Sequence, residues 1–376
     1  ETAKQSNMQA GQNLTLTTET LRGQGEISAG SDVTVKASHL SFYGGKLKAG
    51  NQVLLQGEQN LTVRDADISG HDIALISSGG VSVSSGGSNS PVAGARAFST
   101  ISAANMLHIL SEQGISLSNT LINRAKNIFL ASKGEIEISL SPYLAKFNGN
   151  QSSTDSDVLN DDAQRELISQ RLRQFSQLEA DENIEIHAGA GVNLRGISLT
   201  AGKDITLTSG NSLDVGKVIT ANNKDTETTK LTAKQGGISL TASGKAALGD
   251  VQAKTDITVN GKDIEAAKLT AEQGSISLTA NGKATLGDVQ AKTDITVNGK
   301  DIETTKLTAE QGSISLTANG RATLGDVQAK TDITVNGKDI ETTKLTAKQG
   351  GISLTASGKA ALGDVQAKTD ITVNGK

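Results

Sequence analysis

The chain has 376 residues, enough for two or three ordinary domains, yet aromatics make up only 2% of it and Cys and Trp are absent. A net charge of −4, with acids and bases interleaved, gives no electrostatic footprint for nucleic acid. No stretch approaches the roughly 18 apolar residues of a membrane-crossing helix. Without large aromatics the interior must be filled by Ile, Val, Leu and Ala, which suits a narrow, regular core. The absence of Cys removes disulfides and leaves the redox compartment open. The 41 glycines and abundant Ser, Thr and Asn would also permit disorder, but the pattern of apolar residues argues against it.

That pattern is a series of apolar–polar–apolar triplets, the period-two signature of strands with one buried face. In chain order it begins with Leu14-Thr15-Leu16, Val33-Thr34-Val35 and Val53-Leu54-Leu55, spaced by 19 to 20 residues. Leu61-Thr62-Val63, Ile73-Ala74-Leu75 and Val81-Ser82-Val83 follow. Residues 86–104 then turn Gly- and Ser-rich around Pro91 and Phe98, and an extruded loop is expected there. Triplets resume at Ile115-Ser116-Leu117, Ile128-Phe129-Leu130 and Ile136-Glu137-Ile138, so residues 1–140 read as degenerate coils. Residues 141–182 read as an insertion: a polar loop over Asn148–Asp157, then a helix over Ala163–Asp181 capped by Asp161 and Asp162. Ile168, Leu172, Phe175 and Leu178 would share one face of it. Residues 183–230 return to strands, from Ile184-Glu185-Ile186 to Ile205-Thr206-Leu207.

From 231 to 376 the chain repeats itself. Leu231–Lys268 recurs as Leu269–Lys306 and Leu307–Lys344, and Leu345–Lys376 begins a fourth copy; the second and third differ only where Lys283 becomes Arg321. Each 38-residue copy divides at 19, since the Ile238 triplet is echoed at Ile257 and again at Ile276. A 19-residue coil cannot bury its own apolar face and must stack on others. The expected fold is therefore all-β: a right-handed parallel β-helix, or solenoid, of about 19 residues per coil with one helical insertion. Propeller blades of about 40 residues fit less well, because the half-period is clean and aromatic anchors are missing. Stacking predicts one ladder through Ile238, Ile276, Ile314 and Ile352, another through Ile257, Ile295, Ile333 and Ile371, and a third through Val251, Val289, Val327 and Val365.

Two lines of acids follow from the same period: Asp256, Asp294, Asp332 and Asp370, and Asp250, Asp288, Asp326 and Asp364. Lys254, Lys292, Lys330 and Lys368 run beside them and are expected to offset their repulsion on a solvated face. Such periodic lines do not make a single catalytic constellation of the kind a polysaccharide-cleaving β-helix would need. His39, His71, His108 and His187 are scattered, without a zinc motif, and each is expected at a surface or turn position. No nucleophile elbow, P-loop or calcium-binding nonapeptide occurs. Accordingly no catalytic, cofactor-binding or metal-ligating residue is assigned, no cofactor is expected, and the chain is expected not to be an enzyme. It opens at Glu1 and stops at Lys376 within a repeat, so both ends read as cuts in a longer protein.

Segments such as Ile27-Ser28-Ala29-Gly30-Ser31-Asp32-Val33-Thr34-Val35 and Ile197-Ser198-Leu199-Thr200-Ala201-Gly202-Lys203-Asp204-Ile205 share a theme of strand, Ala-Gly-x-Asp, strand. In this the chain resembles the repeat region of filamentous haemagglutinins, the large exoproteins of Gram-negative two-partner secretion systems. The resemblance implies secretion through an outer-membrane transporter and display at the cell surface as a rod that attaches to a host or neighbouring-cell receptor or glycan. An adhesin is the first reading, the stalk of a contact-dependent growth-inhibition toxin the second, and a polysaccharide-active β-helix enzyme the third. None of them involves nucleic acid or a membrane-spanning segment.

Overall fold

A computed structural model describes residues 7–23, 25–85, 99–123, 125–139, 177–215 and 230–375. They form an all-β parallel solenoid of about 15 turns with coils near 20 residues, and no helix occurs among them. The coils gather into two compact units, one holding Glu1–Ala201 and the other Gly202–Gly216 with Lys230–Lys376.

In the second unit one coil is clearest between Ile276 and Asp294. The strand Ile276–Ala280 points Ile276, Leu278 and Ala280 inward and Ser277 and Thr279 outward. Along Lys283–Ala291 the inward residues are Ala284 and Leu286, then Val289 and Ala291, so the alternation slips by one at Gly287-Asp288 and turns a corner. Each coil thus offers three inward-facing sets and no backbone capable of closing on itself. The next coil supplies the missing partners: Ile276 lies beside Ile295, Leu286 beside Thr304 and Val289 beside Leu307, all in parallel.

The two half-repeats stack on each other and not on their own kind. Ile238, Ile257, Ile276, Ile295, Ile314, Ile333, Ile352 and Ile371 form one continuous ladder, so the two isoleucine ladders expected from the sequence are a single one. The valine ladder is likewise interleaved, with Leu269, Leu307 and Leu345 between its members. The physical reason is that one coil spans half a repeat, so consecutive positions of a ladder come from alternate halves of each copy.

The halves are complementary in volume. Where one coil carries Ala284 and Leu286, the next carries Ile302 and Thr304, and the one after returns to Ala322 and Leu324. Large therefore sits beside small in both rows, which keeps a narrow interior filled at constant width. The coils also trade turn lengths. Ala284 to Ile302 is a step of 18 and Ile302 to Ala322 a step of 20, whereas Ile276, Ile295 and Ile314 advance by 19 each time.

The first unit follows the same grammar with more variation. Leu14, Val33, Val53 and Ile73 share a ladder in steps of 19 to 20. Longer steps then interrupt it, with Ile73 beside Leu107 and Ile128 beside Ile184, and the inward register resumes in phase each time. Its corners use left-handed backbone, which favours Gly, Asn and Asp: φ is 59° at Gly44, 54° at Asp65, 49° at Asn119 and 67° at Gly196. Buried serines close another turn. Ser111 Oγ accepts from Gly114 N at 3.0 Å and Ser132 Oγ from Gly134 N at 3.0 Å, each holding the backbone of its own turn.

Two expectations meet partial correction here. Of the loop expected over 86–104, residues 99–104 belong to the strand Ser99–Ser111, with Ile101 and Ala103 fully buried. Residues 86–98 lie outside the described residues. Of the helix expected over Ala163–Asp181, the strand Gln177–Ala180 pairs in parallel with Ser198–Ala201. Leu178-Glu179-Ala180 satisfies a two-residue alternation as well as a helical one, and a neighbouring strand edge decides between them. Ile168, Leu172 and Phe175 lie outside the described residues.

Candidate functional site

Three acids of the first line fasten coil to coil. Asp256 Oδ1 accepts from Ser275 N, Asp294 Oδ1 from Ser313 N and Asp332 Oδ1 from Gly351 N, each at 2.7 Å. Each carboxylate holds the turn of the following coil just before its strand begins. The same device appears in the first unit, where Asp32 Oδ1 accepts from Gln52 N at 3.1 Å and Asn51 Nδ2 at 2.8 Å. The Asp of the Ala-Gly-x-Asp theme is therefore a coil-to-coil cap.

The second line is not a line of acids. Asp250, Asp288, Asp326 and Asp364 alternate with Lys268, Lys306 and Lys344, which come from the other half-repeat. Acids stand two coils apart, about 9.6 Å, with a lysine between. Two of the lysines expected to neutralise them have other partners, since Lys254 Nζ lies 2.9 Å from Glu272 and Lys292 Nζ 2.8 Å from Glu310. Those contacts, with help from Gln252 and Gln290, hold both glutamates below the usual carboxylate range. On a neighbouring row Glu303 accepts from Lys283 Nζ at 2.6 Å and raises its pKa. Among the described residues no group of three or more His, Asp or Glu is placed to hold a metal ion.

Elsewhere most outward positions are polar, and one place gathers several that are not. In the first unit four successive coils present three outward rows. Ala74, His108, Phe129 and Glu185 share the first row; Ile76, Leu110, Ala131 and His187 share the second. Ser78, Glu112, Lys133 and Gly189 stand at the following turn, and together with the second row they line an open groove that crosses the strands. Ala131 is its floor, being the smallest side chain between Leu110 and His187.

Three rings gather on the groove's flank. Phe129 is half-buried and faces out, with the His108 ring 5.6 Å away at 77° and the His187 ring 5.6 Å away at 49°. His187 Nε2 also lies 3.6 Å from Glu185. Lys133 Nζ donates to Glu112 Oε1 at 2.9 Å, so the charges beside the groove are paired with each other.

Two of the four histidines read as scattered are therefore neighbours on one face, joined through Phe129. The long stretch of chain between His108 and His187 hides this, because the ladder folds a whole excursion out of register counting. The legible signal was Phe129 at the middle of its triplet, the outward place that Ser or Thr fills in most others. The chain matches no protein-family model, and no curated protein or solved structure matches it significantly.

Proposed function

We propose that this chain is a structural segment of a secreted, cell-surface adhesin of the filamentous haemagglutinin type, carried out of a Gram-negative cell through an outer-membrane partner and used for attachment to host or neighbouring cells. The supporting observation is how the acids of the described residues are used. The recurring aspartates cap the next coil or alternate with lysine, and recurring glutamates pair with a basic residue of the preceding coil, so they serve the stacking of coils. A stack of this kind is extended by adding coils, and each coil meets only its neighbours. The uniformity of residues 231–376 favours, as a second reading, the same segment acting as the stalk of a contact-dependent growth-inhibition toxin.

The test is attachment. Beads coated with the purified chain should bind cells saturably and be displaced by soluble chain. Absence of saturable attachment removes the adhesive role and leaves the stalk. Release of oligosaccharides from polysaccharide, lost on replacing particular carboxylates, would overturn both in favour of an enzyme.

A further inference from the structure

We propose that the groove beside Phe129 in the first unit binds a neutral saccharide, its apolar ring face against Phe129 and its hydroxyls against the polar groups along the rim. The proposal names a partner for the attachment reading and rests on it.

The first argument is what the surface spends there. Aromatics are 2% of the chain, yet Phe129 faces outward between two imidazoles, with Leu110 and Ile76 on the adjoining row. An outward cluster of apolar and aromatic side chains on adjoining rows marks a contact site. Rings offer contact area at low cost in side-chain entropy.

The second argument is by elimination among occupants. An extended peptide adds to a sheet through a free edge. The strand Asn127–Ser132, which carries Phe129, is paired on both sides, with Ser99–Ser111 and with Ile184–Ala188, so no edge is free. An acidic polymer needs a cationic cluster, whereas Lys133 is held by Glu112, and His187 stands against Glu185. A purely apolar ligand needs enclosure, and this groove is open and rimmed by Ser78, Glu112 and Lys133. An uncharged, amphipathic ligand remains, with an apolar face for the rings and hydroxyls that exchange hydrogen bonds with the rim. Four coils at about 4.8 Å spacing give a groove of roughly 14 Å along the stack, room for two or three sugar rings.

The histidines make the test specific, because His108 and His187 flank the groove while His39 and His71 occupy other rows of the ladder. The full chain, labelled at histidine nitrogen, is titrated with cellohexaose, chitohexaose and maltohexaose, and separately with a heparin hexasaccharide. At least one neutral sugar should shift His108 and His187 saturably and leave His39 and His71 in place. Phe129→Ala should weaken that response about tenfold or more, the scale of a central aromatic contact, and Phe129→Tyr should keep it. No response to any neutral sugar, a response to heparin alone, or one unchanged in Phe129→Ala would overturn the proposal. The bead assay separates the two readings. Attachment that survives Phe129→Ala without a sugar response sinks this site alone; a sugar response without attachment sinks the attachment reading alone.

Discussion

Single residues in the repeats show how tightly the interior is specified. Thr304 and Thr342 occupy inward positions where the first copy has Ala266, and the Oγ1 of each is buried without a hydrogen-bond partner. A buried hydroxyl in this state costs about 1–3 kcal/mol. Thr304→Val keeps the shape and removes the hydroxyl, and should raise stability by about 1 kcal/mol in urea unfolding; Thr342→Val should add to it, since the two stand two coils apart. Glycines at the corner carry the opposite lesson. A Cβ on Gly287 would overlap the Ala267 carbonyl oxygen of the preceding coil, whereas one on Gly261 would lie 3.1 Å from Asp263 O. Gly261 also pairs with Ala280, so alanine already serves at its ladder position. Gly287→Ala should therefore cost about 2 kcal/mol or more, and Gly261→Ala much less, in the same unfolding experiment.

Charge at the residue scale is worth less. Lys254 and Lys292 depress the carboxyls of Glu272 and Glu310, so the folded form holds its protons less tightly than the unfolded chain. The resulting stability is full above the ordinary carboxylate pKa of 4.5 and is lost as pH falls through the lower folded value. Both pairs are more than a third exposed, so screening limits each to about 0.5 kcal/mol at most. Glu272→Gln should accordingly flatten the acid limb of the stability curve slightly, and salt should flatten it in the parent chain.

At the scale of elements, the unit that folds is the pair of coils. One coil brings Ala284 and Leu286 and the next brings Ile302 and Thr304; one brings Asp288 and the next Lys306. Deleting the half-repeat Ile276–Asp294 would set like upon like: Ile264 beside Ile302, Lys268 beside Lys306, and Ala266 beside Thr304. Overpacking in one row, a gap in the next and facing cations on the surface all oppose that register. Deleting the whole repeat Leu269–Lys306 preserves every alternation, because Lys268 is then followed by Leu307 in an unchanged context. The half-repeat deletion should be less stable than the whole-repeat deletion by about 2–4 kcal/mol, read as separate urea midpoints at matched concentration. Equal stability would show that the alternation has no energetic weight.

This pairing also marks where sequence reading stops. Strand triplets, coil length and parallel stacking were legible because the alternation of two and the period of the coil are written in the residues themselves. That Lys268 stands between Asp250 and Asp288 was not, because the eye aligns identical copies a full repeat apart while the fold aligns unlike halves at steps of 18 and 20. The groove was hidden for a related reason. Phe129 meets His187 only across the long step that sets Ile128 beside Ile184, and nothing local to either residue records the length of that excursion.

Across the whole molecule the two halves of the chain carry different kinds of information. In the second unit the sequence repeats until it is nearly featureless, and Leu345–Lys376 restates Leu231–Lys262 without a single difference. In the first unit no two coils are alike, and the outward rows break from Ser and Thr to Phe, His, Leu and Ile. Coils that meet only their neighbours let the repeat number change without altering a surface built on other coils. Removing Leu269–Lys306 should therefore lower the urea m-value, which follows the area exposed on unfolding, yet leave the imidazole signals of His108 and His187 where they are. A shift of those signals on deletion would mean that the repeats do more than extend the stack, because a change made in the second unit would have reached a groove that belongs to the first.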